Sequence, residues 1–149
     1  MEQQPLINFL NQLLSNQFVL YVKLHRYHWF IQGQHFFELH RLFESLYKET
    51  AQQLDDVAER ILAIDGKPLA TMAKFLEEST LVEASADDTE TEIIHQLQTD
   101  YETLVHEIRE TGLPLADKDG DEPSTDLLVS LQGIYEKHLW MLKAYQEEK

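Results

Sequence analysis

Apolar side chains recur every three or four residues along four long stretches of this chain, which is the spacing of one buried face on an α-helix. The stretches run about 5–31, 36–64, 89–111 and from 124 onward, and each carries a stripe of aliphatic and aromatic residues. No stretch has a convincing strand pattern, and no internal repeat or low-complexity tract interrupts the four. The periodicity therefore predicts an all-α protein.

Residues that begin or end helices separate these stretches. Pro5 suits a first helical turn, and Gly33 is a plausible C-terminal stop for the first helix. The first two helices then form a hairpin with its turn near Gln34. The second helix ends at a strong terminator, the Asp-Gly-Lys-Pro sequence of residues 65–68.

The second half of the chain carries similar signals. Thr89 and Glu92 form a capping-box pattern at the start of the third helix, and Gly112 and Pro114 are expected to end it. An acidic loop, 117–123, then leads to the fourth helix, which is predicted to start near Ser124.

A polar connection, 66–88, joins the second and third helices, and residues 71–78 within it suit a short helix. A connection of this length is too long for a tight turn between antiparallel neighbours. It suits a crossover that runs along a bundle. The prediction is a single domain, 1–149, built as a four-helix bundle with one long crossover.

Composition narrows the classes of function. The chain has 149 residues and no cysteine, which removes disulfides, thiolate metal sites and cysteine nucleophiles. No apolar run reaches the ~18 residues of a membrane span, and no secretory signal is recognisable. We therefore expect a cytoplasmic protein that does not bind a membrane.

The net charge of −15 bears on the partners of the protein. So acidic a surface repels a phosphate backbone unless a local basic patch offsets it. The first basic residue is Lys23, and no basic tail follows the fourth helix. Direct DNA binding is therefore disfavoured, and cations are the natural partners.

Two histidines are predicted to meet across the first hairpin. Residues opposite each other in an antiparallel pair have a constant sum of residue numbers. The numbers of His28 and His40 sum to 68, which centres on the turn near residue 34. The two imidazoles can therefore approach each other within one chain.

Four ionisable residues lie on one face of the second helix. At ~100° per residue, His40, Asp55 and Glu59 all fall within about 60° of Glu44. They do not lie at one height, because Glu44 and Asp55 are about 16 Å apart along the axis. Metal ligands lie about 2–2.5 Å from the ion, so one straight helix cannot complete a metal site.

The residue numbers indicate how a second copy of the chain would complete it. His40 and Glu59 sum to 99, and Glu44 and Asp55 have the same sum. The second helix packed antiparallel against its own copy, about a two-fold axis near residues 49 and 50, would bring each pair together twice. Each of the two sites would then take His28, His40 and Glu44 from one chain and Asp55 and Glu59 from the other.

A simpler interpretation is that these residues are solvated charges on an exposed helical face. Three carboxylates on one face repel each other without matching cations, which favours a metal site. Lys48 shares this face, however. It either counts against the site or pairs with one carboxylate at its edge.

The pattern around these residues resembles the signature of Dps proteins, the mini-ferritins named as DNA-binding proteins from starved cells. The matching residues are Tyr27-His28-Trp29, Gly33, Phe36, Leu39-His40, Phe43-Glu44, Tyr47, Glu49 and Asp55-x-x-Ala58-Glu59-Arg60-Ile61, with Leu139-Trp140 near the end. The resemblance covers essentially the whole chain. It implies a ferritin-like four-helix bundle that assembles into a hollow dodecameric shell.

The resemblance further implies a ferroxidase centre between two-fold-related subunits. It carries the metal ligands over onto His28, His40, Glu44, Asp55 and Glu59, although many relatives have aspartate where Glu44 stands. One or two irons per site, with zinc as a substitute, would be held there. The implied activity is oxidation of iron(II), with hydrogen peroxide preferred over oxygen, and storage of ferric mineral inside the shell, which protects the cell from oxidative damage. Trp29 either intercepts a stray oxidising equivalent or packs at the interface.

The acidic loop before the fourth helix does not match a calcium loop, because its sixth position is Glu122 rather than glycine and its twelfth is Leu128 rather than glutamate. The resemblance places this loop near three-fold pores. Asp117, Asp121 and Asp126 are candidates for a cation funnel, with Asp126 the first choice. A solvated acidic loop is the alternative.

Two other functions stay open: a nucleoid-protecting DNA-binding protein, and a non-catalytic shell that holds zinc or no metal. Glu92 and His95 form half of a conventional di-iron motif, but the fourth helix offers no second copy, so both are expected to be surface or structural residues. His25, His35 and His106 have no evident ligand partner.

Overall fold

The computed structural model describes residues 3–85 and 89–146, and helices account for most of them. The four long helices are α1 (Gln4–Phe30), α2 (Phe36–Ala63), α4 (Glu90–Glu107) and α6 (Glu122–Gln146). Two short helices, α3 (Met72–Glu78) and α5 (Leu113–Lys118), lie between them. The described residues form no strand, so the all-α prediction is confirmed.

The long helices pack as a bundle, with α1 along α2 and α4 along α6. Their apolar stripes meet in one core, and removal of these side chains from water is the main driving force for the packing. Fully buried members of this core include Leu10, Leu24, Phe43, Ile61, Tyr101 and Tyr135. Among the described residues, no helix is both long and apolar enough to cross a membrane.

The predicted stop at the end of α2 is confirmed, with a detail that the sequence did not reveal. The backbone N–H of Asp65 donates to Leu62 O (3.0 Å) and that of Gly66 donates to Ile61 O (2.8 Å), which is a Schellman cap. Asp65, not Gly66, has the left-handed backbone, with φ of 68°. Glycine is needed at position 66 because a Cβ there would lie 2.9 Å from the side chains of Ile61 and Ile7.

The connection between α2 and α4 runs along α1, as predicted for a crossover. Thr71 caps α3 by accepting a hydrogen bond from the backbone N–H of Lys74 (3.2 Å). Phe75 of α3 stacks on Phe18 of α1, with ring centroids 4.2 Å apart. The buried Asn16 holds the end of the crossover, since its Oδ1 accepts from the backbone N–H of residue 80 at 2.7 Å.

The predicted end of the third helix is wrong. A π-helical turn (Ile108–Gly112) follows α4, and α5 then continues to Lys118. Pro114 lies in the first turn of α5, directly after the π-helical turn, and the helix continues past it. Gly112 does not stop the helix but lets α1 approach, because a Cβ at this position would lie 2.5 Å from the ring of Phe9.

Two smaller predictions about helix ends also fail. Ile31, not Gly33, caps α1, and Gly33 lies inside the turn with φ of 140°. Thr89 is the N-cap of α4, but its side chain makes no capping hydrogen bond, so the capping box does not form. Thr89 instead pairs with Gln32 through an isolated bridge between the α1–α2 turn and the start of α4.

Asp121 caps α6 and is not available as a pore residue. It is buried, and its oxygens accept hydrogen bonds from the backbone N–H (3.0 Å) and hydroxyl (2.7 Å) of Ser124, from Gln3 (2.9 Å) and from the Arg60 guanidinium (3.0 Å). Burial raises the pKa of Asp121, but these hydrogen bonds and the Arg60 charge outweigh it and keep the pKa below its usual range. Asp117 and Asp126 are exposed and remain pore candidates.

Replacement of Asp121 by alanine is expected to lower the free energy of unfolding by about 3 kcal/mol, because it removes an N-cap and a charge-assisted hydrogen bond together. Urea unfolding followed by circular dichroism measures the change. Asp117→Ala is the matched control, since this exposed aspartate makes no side-chain bond among the described residues. Equal unfolding midpoints for the two variants would contradict the assignment of Asp121 as a cap.

Candidate metal centre

The two histidines of the hairpin meet as predicted. The rings of His28 and His40 stack with centroids 3.8 Å apart and 14° between their planes. The Nδ1 of His28 bonds to the carbonyl oxygen of residue 40, and the Nδ1 of His40 bonds to the carbonyl oxygen of residue 28, both at 2.7 Å. A carbonyl only accepts, so each Nδ1 donates its N–H, and this leaves Nε2 as the ring nitrogen with which each histidine can bind a metal. This is how metal-binding histidines are commonly oriented.

Glu44 lies one helical turn beyond His40 and is already paired. Its carboxylate accepts from the Lys48 ammonium at 2.8 Å. The hydrogen bond from Lys48, followed by the charge of Lys48, holds the pKa of Glu44 below its usual value, while desolvation opposes the shift. The sequence left two roles open for Lys48, and the structure has it paired with a carboxylate of this face.

Asp55 and Glu59 are exposed on α2, and neither carboxylate has a hydrogen bond or an ion pair within residues 3–85 and 89–146. In the same part of the chain, no three side chains of the metal-binding types His, Cys, Asp and Glu come together. One subunit therefore unites the histidines but leaves both carboxylates turned to solvent. Their role as ligands from a second subunit stays a prediction.

The outward face of α2 has an apolar residue near each end. Phe37 lies in the first turn of α2 and is 70% exposed, and Leu62 lies in the last turn and is 58% exposed. The side chain of Thr50 is buried at the level of the predicted axis, and Glu49 contacts α6, so the outward positions at that level are those of Lys48 and Ala51. This face combines charges at its centre with apolar ends.

An aromatic group borders the histidine pair. His25 stacks on Tyr47 with centroids 3.7 Å apart and lies 5.5 Å from the ring of Trp29. Tyr47 in turn meets His28 edge-on at 5.4 Å. Trp29 itself is 64% exposed. His25 had no evident ligand partner in the sequence, although the four-residue spacing of Tyr21, His25 and Trp29 was a signal for one helical face.

A second histidine without a predicted partner holds the hairpin turn in place. The Glu90 carboxylate accepts from the backbone N–H of His35 (2.6 Å), from its Nδ1 (2.9 Å) and from the hydroxyl of Tyr145 (2.8 Å). Burial raises the pKa of Glu90, but these hydrogen bonds outweigh it and the net shift is downward. Glu90 thereby ties the α1–α2 turn to α4 and α6.

Another polar pair lies between α2 and α6. His138 Nε2 is 2.6 Å from the carboxylate of Glu49. Nearby, the Tyr135 hydroxyl donates to Gln53 (3.1 Å) and accepts from Gln17 (3.0 Å). Burial raises the pKa of Tyr135, so its hydroxyl stays protonated as a donor.

The two residues of the half di-iron motif lie apart from the His138–Glu49 pair. Glu92 accepts a hydrogen bond from Gln96 (3.1 Å), and His95 is exposed.

Comparison with known proteins places this geometry among ferritin-like proteins. A family model described as a ferritin-like domain matches residues 7–148. "DNA protection during starvation protein 2" of Bacillus anthracis is 42% identical over 142 residues, which cover 95% of this chain and 97% of that protein.

Solved structures agree with the sequence comparison. The crystal structure of Dps from Staphylococcus aureus superposes with a TM-score of 0.96 at 37% identity, and covers 99% of this chain and 98% of that one. A Dps protein from Vibrio cholerae O1, described as a member of a broad superfamily of ferritin-like diiron-carboxylate proteins, has a TM-score of 0.94 at 34% identity and covers 98% and 91%.

Proposed function

Because the chain belongs to the Dps family of ferritin-like proteins, we propose that it oxidises iron(II) at sites shared by two subunits and stores the ferric product. The proposal includes a dodecameric shell, a cytoplasmic location, and hydrogen peroxide as the preferred oxidant. It is carried by one observation above all, the stacked pair of His28 and His40 with both Nδ1 atoms bonded to carbonyl oxygens.

The donor set fits iron. Imidazole nitrogens and hard carboxylate oxygens suit non-haem iron and leave coordination positions open for an oxidant. The histidine pair would hold the ion at Nε2, and Glu44 would add a carboxylate from the same chain. Asp55 and Glu59, exposed and unpaired within the described part of the chain, would complete the site from the partner subunit.

The exposed apolar ends of α2 support the same antiparallel pairing. The numbers of Phe37 and Leu62 sum to 99, as do those of the proposed ligand pairs. Packing that sets His40 against Glu59 of the partner subunit would therefore also set Phe37 against Leu62 of the partner subunit. Large exposed apolar side chains commonly mark an interaction surface, and here one register covers them while it completes the metal sites.

The chemistry follows from two irons in one site. Each iron(II) gives one electron, and one hydrogen peroxide takes both with two protons to form two waters. The O–O bond then breaks without release of a hydroxyl radical. Glu44, Asp55 and Glu59 would offset the positive charge that increases as iron(II) becomes iron(III). Trp29 would intercept an oxidising equivalent that escapes when only one iron is bound.

The iron must reach these sites and the cavity from outside. Asp117 and Asp126 are exposed near the start of α6. We extend the proposal to these two carboxylates as a funnel that attracts cations at three-fold openings of the shell, with Asp126 first.

Stopped-flow oxidation tests the function. Iron(II) is bound to the protein without oxygen and then mixed with peroxide or with air-saturated buffer, and the ferric absorbance is followed. We expect fast oxidation with two irons consumed per peroxide, and slower oxidation with oxygen. A rate no greater than that of iron(II) in buffer alone would overturn the proposal and would favour a non-catalytic shell that holds zinc or no metal.

The second candidate function is direct protection of DNA, which the name of the Bacillus anthracis relative favours. The net charge of −15 opposes contact with a phosphate backbone. A gel-shift assay at moderate salt without added metal separates the two, since retarded DNA would support the second candidate. Protection by removal of iron and peroxide needs no contact with DNA.

A further inference from the structure

Lys48 lies among the carboxylates of the proposed metal site and is bonded to one of them. It follows Glu44 by four residues on α2, and the ammonium is 2.8 Å from the Glu44 carboxylate. Glutamate four residues before lysine is the favourable order for such a pair. Arg41 is the other cation of this exposed face, and among the described residues its side chain makes no ion pair or hydrogen bond with a proposed ligand.

The ion pair occupies Oε2 of Glu44, an oxygen that a metal ion bound by this carboxylate would also use. Each carboxylate oxygen of Glu44 that accepts from an ammonium has a lone pair less for a metal. The Glu44 carboxylate is paired in this way in the structure, with Oε2 at 2.8 Å from the Lys48 ammonium. The histidine pair has no such competitor in the described residues, because its Nδ1 atoms are bonded and its Nε2 atoms are not.

We propose that Lys48 is a specificity-determining residue of the site, whose ammonium competes with metal for Glu44. The inference rests on the proposed function and goes further by giving the site an order of filling. The first ion binds at His28 and His40, and a second binds only when Glu44 leaves Lys48. In the antiparallel register Lys48 faces Ala51 of the partner subunit, and this small side chain leaves room for the ammonium to move away.

The same lysine would stabilise the dimer before metal arrives. Without a cation, Glu44 would be brought close to Asp55 and Glu59 of the partner subunit, and the three negative charges would repel. Lys48 therefore has opposite effects on two measurable quantities. It strengthens metal-free association and weakens binding of the second metal ion, which a residue with only a structural role would not do.

Coulomb's law gives the size of the effect. Lys48 and Glu44 are one helical turn apart, so the ammonium lies about 6 Å from an ion at the Glu44 position. Repulsion between a single and a double positive charge at that distance in a water-like medium changes an equilibrium constant by a factor of about ten. Removal of the charge is therefore expected to tighten the weaker metal-binding step about tenfold.

Zinc titration of the assembled protein by calorimetry tests this without any oxidation step. The wild type is expected to show a tight step and a weaker one. Lys48→Gln and Lys48→Met should each tighten the weaker step about tenfold, and Lys48→Arg should leave it near wild type. Arg41→Gln removes a charge from the same face without touching Glu44, and Lys74→Gln breaks the surface ion pair of Lys74 with Glu77 on α3. Each of these two control variants should change the affinity of the weaker zinc-binding step much less than the neutral variants of Lys48 do.

The outcomes separate the two proposals. If the zinc titration of His28→Ala matched that of the wild type, the proposed centre itself would be wrong. A second outcome is that loss of His28 weakens zinc binding, but Lys48→Gln and Lys48→Met both give the wild-type titration curve. In that case the metal centre would stand, and only the proposed competition between Lys48 and metal would be wrong. Equal effects of Arg41→Gln and Lys48→Gln would replace competition with a general field effect. Metal-free association that is unchanged in both neutral variants would contradict the second effect of Lys48, its stabilisation of the dimer.

Discussion

Shells that contain both His28→Ala and Glu59→Ala subunits are expected to regain about a quarter of the iron-oxidising sites, although each variant alone has almost none. Each substitution by itself removes a ligand from every site. The oxidation rate should then fall by at least about 100-fold, since loss of even an outer partner of a ligand costs 10–100-fold. Co-expression of the two variants gives mixed dimers in which one site lacks both ligands and the other lacks none.

The recovered activity would come from complementation between chains. Half of randomly formed dimers are mixed, and one of the two sites in each is intact, which gives about a quarter of all sites. His28→Ala mixed with His40→Ala is the matched control. Both histidines of a site come from one chain, so every site in that mixture lacks one ligand. Recovery in the control, or no recovery in the first mixture, would show that the ligands are not divided between subunits in this way.

A carboxylate at either apolar end of the α2 face is expected to disassemble the protein. Phe37→Asp and Leu62→Asp each place a charge against an apolar side chain of the partner subunit. An unpaired charge buried in an interface costs about 2–5 kcal/mol, and an isologous interface contains each substitution twice. The loss is therefore about 4 kcal/mol or more per dimer, and analytical ultracentrifugation should find subunits smaller than the shell.

A charge-swapped pair tests the register itself. If residues 37 and 62 meet across the two-fold axis, Phe37→Asp combined with Leu62→Lys forms two ion pairs per dimer and should restore much of the assembly. Phe37→Asp combined with Val129→Lys is the control, because Val129 is an exposed apolar residue on α6 and has no counterpart in this register. Equal rescue by both pairs, or rescue by neither with a folded chain, would argue against the antiparallel α2 pairing.

Most helix positions were predictable because they depend on neighbours in sequence. The 3.6-residue period and local breakers placed both ends of α1 and α2 to within about two residues. The approach of His28 to His40 was predictable for the same reason, since two straight helices joined by a short turn leave one register. The short helix α3 followed from its local pattern as well.

The errors lie where residues distant in sequence compete for the same group. Asp121 lies in an acidic loop that suggests a solvated pore residue, but Gln3 from the start of the chain and Arg60 from α2 both hydrogen-bond to it. Gly112 and Pro114 have the pattern of a helix stop, but Phe9 of α1 packs against this glycine and the chain continues as α5. Local patterns do not contain these contacts.

The missed polar partners have the same origin. His35 meets Glu90 and Tyr145 only after three parts of the chain converge at one end of the bundle. His138 meets Glu49 only where α6 crosses α2. Such pairs have no fixed spacing, so no periodicity indicates them.

The linear order of residues was enough for the helices, the bundle with its crossover, and the face that groups His40, Glu44, Asp55 and Glu59, because each depends on the period of an α-helix. Only the tertiary structure showed that the histidines stack with both Nδ1 atoms bonded, that Lys48 forms an ion pair with Glu44, and that Asp121 is buried. Those features depend on side-chain reach and on contacts between separate helices, where a hydrogen bond goes to whichever group lies nearest in space.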